Sequence, residues 1–267
     1  MLAKLLVTGA SGGVATLLRP DLSTIAKTVR LSDIRAVSNL EAHEEFIRAQ
    51  LSDPEQVNAM VAGCDGILHL GGISTESTFD NLLQANIIGV HNLYRSAQLY
   101  GQPRILFASS NHATGAYRFT DRLDAGSLPR PDSYYGVSKV FGEAVASMYF
   151  DKFEQETAVV RIGSCFKQPV DPRMLATWFS PRDFLTLIER VFTVDRLGYK
   201  IIYGASNNSR RFWDDRLVED LGWIPEDNAE VFAGELGDID QYEQAIRDGL
   251  MTYQGGVWLK APLHTKR

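Results

Sequence analysis

Six short apolar runs recur along the first 162 residues, with helical patterns between several of them, and this alternation constrains the fold more than any other feature. The runs are KLLVT (4–8), TVRLS (28–32), EFIRA (45–49), GILHL (66–70), RILFA (104–108) and TAVVRI (157–162), and the helical patterns cover 54–62, 79–100 and 134–153. Strands alternating with helices fold as βαβ units around a parallel sheet. Val- and Leu-rich runs without strict alternation suit strands covered on both faces. The expected class is α/β, a doubly wound parallel sheet. After Gly163 the rhythm changes: Pro, Arg, Trp and Phe become frequent, a helix is expected at 181–193 and a strand at 200–203. The expected organisation is a ligand-binding α/β domain over 1–162 and a smaller lobe over 163–267 that completes the sheet and covers a ligand. No internal repeat and no low-complexity segment interrupts this pattern.

Composition narrows the function classes. A net charge of −6 and a pI near 5.4 argue against a nucleic-acid binder, which usually carries a basic face. Two cysteines, Cys64 and Cys165, with no CxxC pair, make a disulfide framework or zinc site unexpected and fit a reducing cytoplasm. No apolar run reaches the ~18 residues of a membrane span. The segment LLVTGASGGVATLL has a secretory look, but a glycine-rich turn breaks its apolar run and no extended basic region precedes it. It reads as the first strand, turn and helix of the fold.

That turn points to a dinucleotide. KLLVTGASGGVATLL places Gly9, Gly12 and Gly13 between a strand and a helix, in the spacing Gly9-x-x-Gly12-x-x-Ala15. Glycines there permit a tight turn and close backbone approach to a pyrophosphate seated on the helix N-terminus. The fold expected around such a turn is Rossmann-type. The second strand ends in RLSDIR, with Asp33 twenty-one residues beyond Gly12. An acidic residue at about that distance accepts hydrogen bonds from the adenosine ribose and repels a 2′-phosphate, which favours NAD over NADP. Arg35, two residues on, is the opposing signal, because a nearby arginine accommodates a 2′-phosphate.

The segment SYYGVSK (133–139) holds two adjacent tyrosines and a lysine. Tyr135 and Lys139 are four apart and share a helix face, whereas Tyr134 points away from the lysine. On a helical wheel Val137, Val140, Phe141, Ala144, Val145 and Met148 form an apolar stripe, with Tyr135, Lys139 and Gly142 opposite, so the pair need not be core. A tyrosine with a pKa of ~10 is a poor base at neutral pH. A lysine cation and the positive charge of a bound nicotinamide would lower that pKa, letting a phenolate accept a hydroxyl proton as hydride leaves. The strand RILFASSNH ends in Ser109, Ser110, Asn111 and His112, where a doubly wound sheet presents its ligand crevice. A metal at His112 would want further His, Asp or Glu nearby, and none is evident, so no metal site is expected.

Taken together, the TGASGGVA turn, the acid after strand two, the serine after strand five and Tyr135-x-x-x-Lys139 resemble the extended short-chain dehydrogenase/reductase family over nearly the whole chain. VNAMVAGCDGILHLGGIS, GQPRILFASSNH, YYGVSK, MYFDKF, RIGSC, RMLATWFS and LGWIPEDNAE are similar to the uronate dehydrogenase branch of that family. This resemblance implies an oxidoreductase that oxidises C1 of galacturonate or glucuronate with NAD to an aldarolactone. It implies Tyr135 as general base, Lys139 on the nicotinamide ribose and Ser110 on the C1 oxygen. Ser74, Asn111, His112 and Ser164 would line the sugar, and Arg173 would bind the C6 carboxylate, a role suited to its planar fork of donors. Cofactor contacts are expected from Gly9, Gly12, Gly13, Val14, Asp33, Ile34, Leu51, Leu70, Gly71, Gly72, Asn86, Ser109, Lys139 and Ile162. The family often carries Asp-Leu after strand three, where Gln50-Leu51 stands here. The third motif glycine is replaced by Ala15, still small enough for close helix–strand packing. A homo-oligomer, acting on a small-molecule sugar acid and not on a membrane, is the expected assembly.

Two other functions compete. A nucleotide-sugar epimerase or dehydratase shares the superfamily, but dehydratases need an acid–base pair after strand five, and Ser110-Asn111-His112 contains no carboxylic acid. A redox-sensing NAD-binding protein commonly lacks the Tyr or the Lys, and both are present. Cys165 reads as a semi-buried thiol and LKAPLHTKR (259–267) as a flexible basic tail.

Overall fold

The computed structural model describes residues 1–236, 244–249 and 251–263; the last four residues of the expected basic tail lie outside these. Along the chain run β1 (Leu2–Thr8), α1 (Gly13–Leu18), β2 (Ala26–Asp33), β3 (Glu44–Arg48), α2 (Pro54–Val61) and β4 (Gly66–His69). A nearly continuous helix follows as α3 (Phe79–Leu82), a π-helical turn (Leu83–Ile88) and α4 (Gly89–Leu99), then β5 (Arg104–Ser110), β6 (Leu123–Asp124), α5 (Tyr134–Phe153) and β7 (Thr157–Ile162). The remainder contributes α6 (Met174–Thr177), α7 (Pro181–Thr193), β8 (Tyr199–Gly204) and β9 (Trp213–Asp214).

Seven strands form one sheet in the order β3-β2-β1-β4-β5-β7-β8, and every neighbouring pair is parallel. The order reverses direction between β1 and β4, the topological switch point where such sheets open a crevice beyond the strand carboxyl ends. The fold is the expected Rossmann-type α/β sheet. Because side chains alternate across each strand, Leu5, Val7, Leu68, Leu106 and Val160 pack on one face with Leu18, Phe184, Leu187 and Val191 of α1 and α7. Leu6, Ile67, Ile105, Phe107 and Val159 face the other way, onto Val57, Met60, Leu93, Tyr94 and Tyr149 of α2, α4 and α5. Residues after Gly163 supply the seventh strand, the covering helix α7 and β9, which pairs in parallel with β6 from the earlier part of the chain.

Helix α5 corrects the wheel. Its packed face is the one holding Tyr135, Ser138, Lys139, Gly142, Glu143, Ala146 and Tyr149. Half of the apolar stripe turns outward: Val137 is 48% and Met148 43% exposed, and Ala144 is exposed too, while Val140, Phe141 and Val145 are half-buried, Phe141 and Val145 against the core. Two physical reasons reverse it. Gly142 lets the helix sit against Phe107, whose Cζ would lie 2.2 Å from an added Cβ. The polar groups on the inner face all find partners: Lys139 Nζ donates to the Ala108 carbonyl (2.7 Å), and Glu143 receives Ser109 Oγ (2.6 Å) and two bonds from Arg161 (3.0 and 2.8 Å). Buried polar groups that are satisfied carry no large penalty, so hydrophobicity alone misplaces this helix.

Candidate active site

The cofactor half lies at the β1–α1 turn. Gly9 adopts φ +68°, and a Cβ there would lie 2.8 Å from the Gly71 backbone, so only glycine lets these two turns touch. A cleft of about 1020 Å³ opens here, lined by Gly9, Gly12, Gly13, Val14, Asp33, Ile34, Leu51, Leu70, Gly71, Gly72 and Ser74. It also reaches Arg35 and Gln50. Asp33 Oδ2 accepts from Ser11 N and Oδ1 from Arg35 N, both at 3.0 Å. Burial works to raise this carboxyl, but those backbone bonds and the Arg35 charge outweigh it and hold Asp33 below the usual range. Arg35 turns its Nε toward Ser11 Oγ (3.2 Å), at the rim of the turn.

Four of the expected cofactor residues, Asn86, Ser109, Lys139 and Ile162, are not among those lining this cleft. Asn86 holds the Ile73 backbone through both amide atoms (2.8 and 3.0 Å) and reaches Ser138 Oγ (2.9 Å), so it shapes the loop that carries Ser74. Ser109 spends its hydroxyl on Glu143, Lys139 donates to Ala108, and Ile162 ends β7.

The chemical half lies where β5 meets α5. Ser133 caps α5 by accepting from Gly136 N (3.0 Å), and Glu76 accepts from Tyr134 N (3.3 Å) and Tyr135 N (2.9 Å), which satisfies the first-turn donors. Tyr135 is 6% exposed and hydrogen-bonds Ser110; Tyr134 instead meets Phe79 edge-on. Burial pushes the Tyr135 phenol up to about 12, the Ser110 hydrogen bond opposes this, and the Asp132 charge adds to it. Lys139 is not among the groups that set this shift. Lys139 Nζ lies 5.5 Å from the Tyr135 ring centre, and burial pushes Lys139 itself down to about 8 against the pull of Glu143. A phenol raised this far is neutral at pH 7.

The remaining side chains converge from distant segments. His112 N donates to Ser110 Oγ (3.2 Å), and its Nδ1 lies 2.8 Å from Asp132 Oδ2. Asn111 Nδ2 (3.3 Å) and Arg173 Nη1 (3.2 Å) share the Gln254 carbonyl, and Arg173 Nη2 reaches Ser164 Oγ (3.4 Å). Ser164 Oγ also pairs with Thr177 Oγ1 (3.0 Å). Burial lowers the Arg173 pKa against the pull of Asp171 and Asp132, and among the described residues Arg173 forms no ion pair.

Comparison with known proteins decides the family. Residues 5–176 match the model of the NAD dependent epimerase/dehydratase family. A uronate dehydrogenase of Agrobacterium fabrum (strain C58) is 49% identical over 260 residues, covering 97% of this chain and 98% of that protein. The chain belongs to the uronate dehydrogenases, within the NAD dependent epimerase/dehydratase family. A mutant of uronate dehydrogenase from Agrobacterium tumefaciens, crystallised in complex with NAD, superposes with a TM-score of 0.93 at 48% identity, over 98% of this chain and 99% of that one. A glucuronic acid dehydrogenase from Chromohalobacter salexigens gives the same TM-score, 0.93, at 48% identity and 98% coverage of both chains. More distant NAD-bound neighbours at 18% identity, with TM-scores of 0.70 and 0.68, share the fold alone.

Sequence reasoning missed four contributors to this uronate dehydrogenase site. Gln254 and Trp258 lie far from the motifs in sequence, Asp132 directly precedes one, and Trp258 stacks on His112 with ring centres 3.8 Å apart. Glu76 stands in no motif of the sequence. Only the SerTyrTyr segment beside Asp132 gave any signal, by placing that acid next to a helix cap. Among the described residues no cluster of three His, Cys, Asp or Glu side chains is placed to hold a metal, and no helix is long and apolar enough to cross a membrane.

Proposed function

We propose that this chain oxidises the C1 hydroxyl of a hexuronic acid, galacturonate or glucuronate, to the aldarolactone with NAD. The observation that carries the substrate is Arg173: an enclosed guanidinium without an ion pair among the described residues, sharing an acceptor with Asn111 beside the Tyr135–Ser110 pair. An enclosed cation without a counter-charge suits a ligand that brings one, and a C6 carboxylate fits its bidentate fork. The glycine turn and Asp33 fit NAD, the cleft offering backbone donors at the pyrophosphate and a carboxylate at the ribose.

NAD, when bound, would supply the acceptor for the C1 hydrogen and its electron pair. Ser110 Oγ holds the C1 oxygen. Tyr135 Oη takes the hydroxyl proton as the C1–O bond becomes a carbonyl. This requires Tyr135 as phenolate, and Lys139, one helical turn away, favours that charge once the cofactor's own positive charge fills the site. Ser74, Asn111, His112 and Ser164 orient the remaining hydroxyls, and Arg173 fixes the far end of the sugar. Residues 1–162 serve as the NAD-binding part, and 163–267 bring Ser164 and Arg173 to the substrate.

An epimerase or dehydratase is disfavoured because no carboxylic acid follows β5 at 110–112; the carboxylate that does reach the site, Asp132, is held by His112 and Ser133. The exposed Val137, Ala144 and Met148 of α5 support a homo-oligomer, because exposed apolar side chains on one helix gain by being covered; light scattering that reads a monomer would overturn this. The free, buried Cys64 and Cys165 support a reducing cytoplasm. The functional test is NADH absorbance across uronates, neutral aldoses and nucleotide sugars. Turnover of uronates alone is expected, and turnover of nucleotide sugars instead would reject the reading.

A further inference from the structure

Asp132 has no place in the chemistry above, yet the chain encloses it carefully. Its side chain is 0% exposed beside an imidazole that is 11% exposed. Three segments close around the carboxylate. Ser133 Oγ donates to Oδ1 (2.8 Å), while Gly115 and Gly255 come so near that a Cβ on either would lie 2.0 and 1.8 Å from Oδ2. Any side chain at those two positions would expel the carboxylate, so its room is built by the loop after β5 and by the C-terminal segment together.

The two carboxylate oxygens divide their work. Oδ1 faces the Ser133 hydroxyl and Oδ2 faces His112 Nδ1 at 2.8 Å. A carboxylate accepts and does not donate, so Nδ1 must carry the hydrogen. In a neutral imidazole the other nitrogen is then a bare acceptor. That nitrogen, Nε2, has no hydrogen-bond partner among the described residues, and it is not among their sealed, unpartnered polar atoms. The ring plane is fixed by Trp258, stacked at 3.8 Å, and Tyr135 meets it edge-on at 5.8 Å. An oriented ring with one committed nitrogen thus stands beside the proposed base.

We propose that Asp132 is a positioning residue: it fixes His112 in the tautomer whose Nε2 accepts a hydrogen bond from a sugar hydroxyl. This deepens the uronate reading and rests on it for the identity of the hydroxyl donor. The carboxylate also faces Arg173 through space, since its charge acts on that guanidinium without pairing with it. One buried anion therefore orients an acceptor for hydroxyls and offsets part of the cation that awaits a carboxylate.

Two measurements test it. The first reads the tautomer in the unaltered protein, by nitrogen-15 NMR of the histidine rings, with His112 assigned by its loss in His112→Gln. A bare Nε2 and a protonated Nδ1 are expected; a hydrogen on Nε2 overturns the proposal. The second is a double-mutant cycle on the uronate reaction. Asp132→Asn should lower kcat/KM for the uronate by about tenfold or more while KM for NAD holds, because the amide can turn a donor toward Nδ1 and reverse the tautomer. In the His112→Gln background the same change should cost less than about twofold. Equal losses in both backgrounds would mean that Asp132 only supports the fold, and the proposal fails. Absence of uronate turnover in the wild type would instead reject the functional reading, while the NMR result would still judge the tautomer.

Discussion

The two halves of the cleft are built in opposite ways. The cofactor half is mostly backbone, concentrated in one strand–turn–helix and the neighbouring turn at Leu70–Gly72. The proposed substrate half is almost all side chains, from Ser74, Ser110 to His112, Tyr135, Ser164 and Arg173, braced by Asp132, Gln254 and Trp258. Backbone recognition needs only local geometry and small residues. Side-chain recognition needs a tertiary fold to bring separate segments within hydrogen-bond reach. The first half should therefore tolerate damage to the second, and the reverse should hold less well, because the sugar must lie against a bound nicotinamide.

The sharpest way to separate the halves is Tyr135→Phe. It removes the proton acceptor and nothing from the glycine turn, so turnover should fall by roughly 10²–10⁴-fold while NAD binding persists. Tyr134→Phe should be far milder, since Tyr134 packs on Phe79 away from the lysine. Equal activity of the two mutants, read by NADH absorbance, would break the assignment.

Arg173→Met probes the far end of the sugar. Charge-assisted hydrogen bonds are worth about 1.5–3 kcal/mol, so galacturonate should lose roughly tenfold or more in kcat/KM. Galactose, which has no carboxylate, should lose little further. Binding energy remote from C1 also places the reacting carbon, so kcat should drop along with the rise in KM. Equal losses on acid and neutral sugar would put the carboxylate pocket elsewhere.

On the cofactor side, Asp33→Ala should weaken NAD binding by about tenfold and narrow the preference over NADP, because it removes an acceptor and a repelling charge together. Fluorescence titration with both cofactors reads this. A wild-type enzyme that prefers NADP would shift the discrimination to Arg35.

The smallest effect is on stability and joins the halves at Lys139. Burial lowers its folded-state pKa to about 8 from 10.5, so the folded protein pays to keep it charged below about pH 8. Between those values the unfolded chain binds the extra proton, and stability rises with pH. Lys139→Met should raise Tm by about 2–4 °C at pH 7 while abolishing turnover, and the gain should fade by about pH 10.5. A gain independent of pH would mean that packing, not desolvation, sets it.

How much of this was legible depended on range. Strands such as Thr157–Ile162 and helices Tyr134–Phe153 and Pro181–Thr193 follow directly from local apolar patterning and caps. The orientation of α5 did not, because its wheel is read from hydrophobicity while its inner face is held by Gly142, Lys139, Glu143 and the Ser109–Arg161 network. The upward push of burial on the Tyr135 phenol was not legible either, since desolvation depends on what packs around a group and no spacing records it.

By itself the sequence determined the doubly wound α/β class, the glycine turn with its acid at Asp33, and the Tyr135–Lys139 pair, because each shows in the local patterning and fixed spacing of residues along the chain. Only the tertiary structure decided which face of α5 is buried, that Asp132 meets His112, and that Arg173 and Asn111 meet at the Gln254 carbonyl. Those contacts join segments from 20 to 143 residues apart. Such approaches are set by sheet order and by the close passage of backbones at Gly115 and Gly255, and no local pattern encodes them.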